Sequence, residues 1–112
     1  MSHIRENGVT TARRRLADRR PCESFNIEVG AQRYVVSIGR FPDGTLAELF
    51  IGNGKAGSDS DAHAKEAAIA ISIGLQYGVP LAVFRGALLR DSRGQASTPL
   101  GTALDVIAGA EQ

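Results

Sequence analysis

Cysteine, histidine and aromatic residues are scarce in this chain of 112 residues. Its single cysteine, Cys22, excludes an internal disulfide and any Cys-x-x-Cys pair. The two histidines, His3 and His63, are far apart in the sequence, so no zinc-ligand spacing exists and no metal site is expected. Tryptophan is absent and aromatic residues make up only 5% of the chain. The core must therefore consist mainly of Ala, Ile, Val and Leu.

Long apolar runs are missing as well. No stretch approaches the roughly 20 apolar residues of a membrane span, and the N-terminus has no hydrophobic signal core. We therefore expect a cytoplasmic protein without a membrane segment. The length suits one domain with a small core, so we also expect a homo-oligomer that buries an exposed sheet edge or face.

Charge is distributed unevenly along the chain. Residues 1–22 hold six arginines and two acids, a net charge of +4, whereas residues 23–112 hold seven basic and ten acidic residues, a net charge of −3. We interpret residues 1–22 as a basic, flexible arm, with residues 1–11 disordered and a short helix over residues 12–20. The arm either contacts phosphate or a protein partner or is a solvated leader. Its candidate contact residues are Arg13, Arg14, Arg15, Arg19 and Arg20.

Residues 23–112 are predicted to form a single α+β domain. Apolar and polar residues alternate from Phe25 to Val29 and from Tyr34 to Ile38, which indicates two half-buried strands. Asp43-Gly44 marks a tight turn into a third strand, Leu46 to Ile51, with Leu46 and Phe50 expected on one face. The pattern predicts a three-stranded antiparallel β-meander with one face covered and one face open to solvent.

Two to three C-terminal helices are expected to cover one face of this meander. Ser58 followed by Asp61 has the form of a helix N-cap, so the first helix should run from about Ser60 to Tyr77 and stop at Gly78. Two shorter helices are predicted after it, Leu81 to Arg90 and Leu100 to Ala110.

A glycine-rich loop joins the third strand to the first helix. Backbone N–H groups and a helix N-terminus can hold a phosphate in such a loop, so we consider an anion or nucleotide site there. Its residues would be Gly54, Lys55, Gly57 and Ser58. The loop is not a Walker A motif, because Ala56 follows Lys55. The alternative is that the glycines serve only the turn. No catalytic residue is assigned.

Three strings of residues carry a resemblance to a known family. They read Arg40-Phe41-x-Asp43-Gly44-x-x-Ala47-Glu48-Leu49-Phe50-Ile51, Lys55-x-Gly57-Ser58 and Leu75-Gln76-x-Gly78-Val79-Pro80-Leu81. Together they resemble the C-terminal segment of adenosylcobalamin-dependent ribonucleotide reductases over about Phe25 to Leu89. That segment is also known as the TSCPD domain, after a Thr-Ser-Cys-Pro-Asp signature. In this chain Thr98 stands at the place of the cysteine and Leu100 at that of the aspartate.

The resemblance implies an accessory role rather than the reductase reaction. Reductases of this family use several cysteines and a large barrel, whereas this chain has one cysteine. We expect a stand-alone accessory domain in deoxynucleotide metabolism, with no cobalamin site of its own. It would act by protein contact, with a ribonucleotide reductase or another protein as partner, or by nucleotide sensing, and Arg40 would be a further contact residue.

The alternative is a small nucleotide-phosphate or nucleic-acid binding protein that uses the arginine arm and the loop Gly52 to Ser58. A third hypothesis is that the chain is an enzyme in its own right.

Overall fold

The computed structural model describes residues 12–110, which form a three-stranded sheet and three helices. The strands are β1 (Cys22–Val29), β2 (Gln32–Arg40) and β3 (Leu46–Gly52), and they pair antiparallel in the order β1-β2-β3. The helices are α1 (Asp59–Gln76), α2 (Leu81–Ala87) and α3 (Pro99–Ala110). The predicted α+β meander with C-terminal helices is confirmed. The expected disorder of residues 1–11 lies outside the described residues.

One face of the sheet packs against α1 and α3. The inward residues of β1 and β2 are those that the alternation predicts, and small residues on both helices let the layers approach closely. The buried cluster consists of Ile27, Tyr34, Val36, Ile38, Leu46, Leu49, Ile51, Ala64, Ala68, Ile71, Leu75, Leu100, Ala103, Leu104 and Ile107.

A β-bulge in β3 changes which residues reach this core. Gly39 pairs with Glu48 but Arg40 pairs with Leu46, so Ala47 is an extra residue on β3. The extra residue shifts the alternation by one position. Leu46 is therefore buried, while Phe50 is 52% exposed on the open face. The prediction that these two residues share a face is wrong for this reason.

The free edge of β3 is covered by side chains of α1. The Ser72 hydroxyl accepts a hydrogen bond from the Leu49 amide at 2.9 Å and lies 3.1 Å from the Leu49 carbonyl oxygen. One turn later, the Gln76 side-chain amide donates to the carbonyl of Ala47 at 3.1 Å. Because the helix satisfies these backbone groups, this part of the edge is no template for another strand.

Both ends of α1 are where the sequence predicts them. The amide of Asp61 donates to the Ser58 side chain at 3.2 Å, which is an N-cap. At the other end Gly78 has φ 92°, and the amide of Val79 donates to the carbonyl of Gly74 at 3.1 Å. The left-handed residue after the last turn thus redirects the chain, as glycine permits.

Two predicted helices need correction. α2 ends at Ala87 rather than Arg90, because Arg90 forms a bridge with Ala96 and both Arg90 and Arg85 bond to Asp105 on α3. No helix forms over residues 12–20. That segment has few apolar residues, and its Arg13, Arg14 and Arg20 side chains donate hydrogen bonds to residues of the domain.

Candidate functional site

A groove of about 670 Å³ lies between the β2–β3 turn and the C-terminal end of α1. One wall consists of residues 40–46, except Pro42, and the other of residues 75–81, except Tyr77. Arg14 closes one side. These walls contain parts of two of the strings that carry the family resemblance. Segments at least 29 positions apart in the sequence thus meet at one surface feature.

The turn wall is held by the side chain of Asp43. Its Oδ1 accepts hydrogen bonds from the Thr45 hydroxyl at 2.6 Å and from the Thr45 amide at 2.9 Å, and Gly44 takes φ 90°. These bonds, followed by the nearby Arg14 guanidinium, lower the pKa of Asp43 to about 2. Asp43 therefore carries its negative charge at neutral pH.

The helix wall is organised by Gln76, which is only 5% exposed. Its Nε2 donates to Ala47, while its Oε1 accepts a hydrogen bond from Nε of Arg13 at 2.6 Å. The backbone carbonyl of Gln76 accepts from the Arg14 amide at 2.7 Å. A buried amide side chain thus joins the edge strand to the arm.

Arg14 reaches from the arm to the turn. Its guanidinium carbon lies 3.8 Å from the centroid of the Phe41 ring, and Nη2 is 3.0 Å from Oδ2 of Asp43. The last turn of α1 contains no basic residue of its own. Arg13 and Arg14 therefore bring positive charge to the negative end of the α1 dipole.

Arg40 also lines the groove, and its side chain is held by the domain. Nε lies 3.2 Å from Oε1 of Glu23, and Nη1 donates to the carbonyl of Gly44 at 3.1 Å. Its predicted contact with phosphate or a partner stays a prediction.

The other arm arginines, Arg15, Arg19 and Arg20, do not line the groove. Arg20 is on the open face of the sheet, where its Nε donates to Oε2 of Glu48 at 2.6 Å. Gly39 leaves room for this carboxylate, because a Cβ there would collide with it. Arg15 and Arg19 are exposed. The described part of the arm therefore contacts the domain through Arg13, Arg14 and Arg20, and whether residues 1–22 are flexible stays a prediction.

The predicted anion loop contains a carboxylate of the chain itself. Asp61 is 3% exposed, and its Oδ1 accepts a hydrogen bond from the Asn53 amide at 2.8 Å. A bond from Lys65, whose Nζ is 2.7 Å from Oδ2, and then the Asn53 amide lower the pKa of Asp61. Negative charge already stands at this helix N-terminus, where a bound phosphate would also have to lie.

Each of the four predicted loop residues has a structural role in the turn or at the start of α1. Gly54 and Gly57 take φ 76° and 82°, as a glycine can. Lys55 donates through Nζ to Gln32 Oε1 at 3.0 Å, and Ser58 caps α1. The loop contacts therefore support the turn interpretation, and anion binding stays a prediction.

The loop and the groove are at opposite ends of α1. The helix has 18 residues, a length of about 27 Å at 1.5 Å per residue. A single mononucleotide cannot contact both ends. The alternative function, if it combines Arg13 and Arg14 of the arm with the loop, therefore requires a longer nucleic acid or two separate ligands.

Sequence reasoning missed the groove itself, although it named several of its residues. The available signals were a glutamine in line with an apolar stripe and an Asp43-x-Thr45 pair that fits a side-chain-stabilised turn. Thr98, at the place of the signature cysteine, accepts a hydrogen bond from the Gly101 amide at 3.1 Å. It acts as the N-cap of α3, a role that requires no thiol.

Within residues 12–110, no cluster of three or more His, Cys, Asp or Glu side chains could hold a metal ion. The helices of the same region are all too short or too polar to cross a membrane.

Comparison with known proteins finds relatives among vitamin B12-dependent ribonucleotide reductases. The vitamin B12-dependent ribonucleotide reductase of Agrobacterium fabrum is 41% identical over 73 residues, 65% of this chain. The enzymes of the same name from Bradyrhizobium diazoefficiens and Streptantibioticus cattleyicolor are 38% and 36% identical over 65% and 64% of it. The chain resembles a segment of these reductases. The predicted resemblance is thereby confirmed.

The reductase segment is a small part of those proteins. This chain spans 6% of the length of the first two relatives and 12% of the third. No family model matches the chain, and no solved structure matches it. The TSCPD description therefore stays an interpretation of the sequence, as does the expectation that this reductase-like segment has no cobalamin site.

Proposed function

We propose that this chain is an accessory domain of deoxynucleotide metabolism that binds a protein partner through the groove. One observation carries the proposal: parts of two of the three strings that resemble the reductases, Arg40 to Ile51 and Leu75 to Leu81, converge on this single surface feature. In this proposal the domain has no catalytic role by itself.

Electrostatics at the groove favour a polypeptide over a nucleotide phosphate. Arg14 and Arg40 line the groove, but each lies close to a carboxylate, Asp43 and Glu23 respectively. The carbonyl end of α1 adds partial negative charge to the same place. A phosphate would have to compete with both carboxylates and would face the unfavourable end of the helix dipole.

The surface of the groove also has the character of a protein interface. Leu46 and Leu75 are buried behind it, Val79 and Leu81 are half-buried, and the polar side chains of Arg14 and Asp43 stand at the rim. Apolar centres with polar rims are typical of protein contacts. A partner could therefore bury apolar area in the centre and exclude water there.

The relatives indicate the class of partner. In them the matching segment lies within a much longer reductase chain, of which it makes up 6% to 12%. We therefore propose a ribonucleotide reductase polypeptide as the partner of this domain.

Affinity measurements with a purified reductase test the proposal. The reductase of Agrobacterium fabrum serves as probe, and Val79→Lys introduces a charge into the groove. We expect this variant to bind at least tenfold more weakly than the unaltered chain, a loss of about 1.4 kcal/mol. Val106→Lys is the control, because Val106 is 45% exposed on α3 and lies outside the groove. Equal affinity of both variants, or no binding by the unaltered chain, contradicts the proposal.

Nucleotide sensing is tested in a separate calorimetric experiment. Deoxynucleoside triphosphates at millimolar concentration are added to the chain alone, and heat is recorded. The proposal expects no nucleotide to bind in the groove, so the heat should be the same for the unaltered chain and for Val79→Glu, which adds a negative charge there. A nucleotide signal that Val79→Glu abolishes would instead assign the groove to nucleotide binding.

A further inference from the structure

We infer that the part of the groove walls formed by Phe41, Asp43 and Gln76 is a receptor for two adjacent arginines. In this chain its occupant is the chain's own pair, Arg13 and Arg14. A partner segment that carries the same pair can replace it. This inference deepens the proposed function, since it names the chemistry of the partner, but the binding of an arginine pair does not depend on which protein supplies it.

In every polar contact between the pair and the receptor, the arginine is the hydrogen-bond donor. Arg13 donates its Nε–H to the side-chain oxygen of Gln76, and Arg14 donates its backbone N–H to the carbonyl of the same residue. Arg14 then donates from Nη2 to the carboxylate of Asp43, with its guanidinium over the ring of Phe41. The receptor supplies three acceptors and an aromatic face, which together suit a guanidinium-bearing segment.

The receptor groups are held by contacts that do not involve the arginines. The Gln76 side chain is buried and held through Nε2 by Ala47, so its Oε1 faces the arm. Asp43 is fixed by the two bonds from Thr45, which are also the largest causes of its lowered pKa. Leaving Oε1 of Gln76 without a hydrogen-bond donor would lower the stability of the fold, so a donor such as Arg13 is favoured at this position. Lysine has no planar guanidinium for the Phe41 face and would match the receptor less well.

The occupant is held in a way that allows exchange. The Arg14 and Asp43 side chains are 48% and 51% exposed, and exposed ion pairs contribute little to stability. The segment from residue 12 to 20 has no helix or strand of its own. This segment stays bound to the receptor largely because both belong to one chain. The covalent link gives the arginine pair an effective concentration at the receptor on the order of millimolar.

A peptide titration followed by NMR tests the inference. The protein is the ¹⁵N-labelled full chain with Arg13→Ala and Arg14→Ala, which removes both guanidinium groups from the receptor, and the probe is a synthetic peptide of residues 12–20. We expect saturable shifts of the amides of residues 43–45 and 76–78. The unaltered chain should bind the peptide at least fivefold more weakly, because its own arginines compete.

Two controls make the result specific. A peptide with glutamine at both arginine positions 13 and 14 should leave the amides of residues 43–45 and 76–78 unshifted. Adding Asp43→Asn, which retains an acceptor for Thr45 but removes the charge, should weaken binding of the arginine peptide at least threefold. If the double alanine variant does not fold, Arg13→Lys with Arg14→Lys replaces it and should still bind the peptide more tightly than the unaltered chain.

The inference is overturned by any of three results. The first is equal peptide affinity of the double alanine variant and the unaltered chain. The second is amide shifts with the glutamine peptide that equal those with the arginine peptide. The third is shifts confined to amides outside residues 41–46 and 75–81.

Discussion

Ser72 and Gln76, one helical turn apart on α1, bond to the backbone of β3 as a neighbouring strand would. Ser72 bonds to Leu49, and Gln76 bonds to Ala47 next to the bulge. Neither role could be predicted from the sequence, because serine and glutamine on a helix are most often solvated. Their effect depends on the position of the edge strand, which only the folded structure defines.

Removing the Ser72 hydroxyl should lower stability. Ser72→Ala leaves the buried Leu49 amide without its partner, which we expect to cost about 1–3 kcal/mol in the free energy of unfolding. Urea denaturation measures this change. Ser97→Ala, at an exposed position, is the control and should change stability by less than about 0.5 kcal/mol. Equal stability of both variants would show that the Ser72 hydroxyl does not stabilise the edge of β3.

Asp105 should make folding sensitive to acid. Its pKa is lowered to about 2, first by the hydrogen bond from Arg90 and also by that from Arg85. In the unfolded chain the pKa returns to about 3.9, so between these values the unfolded state binds more protons. Stability from this group is therefore complete above about pH 4 and is lost as the pH falls towards 2. Urea midpoints from pH 2.5 to 5 should fall less steeply for Asp105→Asn than for the unaltered chain. Parallel pH profiles would contradict this.

At the scale of elements, the strands and the ends of α1 followed from local signals. Period-two alternation, the cap at Ser58 and the stop at Gly78 act within a few residues, so the sequence contains them. The bulge at Ala47 and the early end of α2 depend on partners distant in the chain, which local patterns do not reveal. The groove was missed for the same reason, since its walls meet only in the fold.

The glycine loop offers a test at this scale. Gly57→Ala places a side chain at φ 82° and should cost about 1–2 kcal/mol. Lys55→Ala should change stability by less than about 0.5 kcal/mol, because it removes only an exposed contact with Gln32. Thermal unfolding measures both variants.

The anion-site prediction is tested on the same variants. If the loop binds phosphate, calorimetry with nucleoside triphosphates or sulfate should give heat that both substitutions together abolish. Absence of heat with the unaltered chain at millimolar ligand would leave the loop as a turn only.

At the scale of the whole molecule, the open face of the sheet determines what we expect of assembly. Phe50 and Val35 are 52% and 50% exposed on it, and Ile69 of α1 is 52% exposed beside them. Since α1 already covers part of the β3 edge, an oligomer would bury this apolar patch rather than that edge.

Sedimentation at micromolar concentration measures the assembly state. We expect a homodimer or larger species that Phe50→Lys dissociates, whereas Val83→Lys, at a position on α2 that is 57% exposed, should leave it intact. A monomer of 11.8 kDa for the unaltered chain would contradict the expected oligomer.

The central claim is that the groove between residues 40–46 and 75–81 contacts a reductase polypeptide. Hydrogen–deuterium exchange of the chain, alone and with the Agrobacterium fabrum reductase, tests it most directly. We predict slower exchange in peptides that cover these two segments and unchanged exchange over residues 52–58. Exchange that is unchanged throughout, or slowed only over residues 52–58, would contradict the claim.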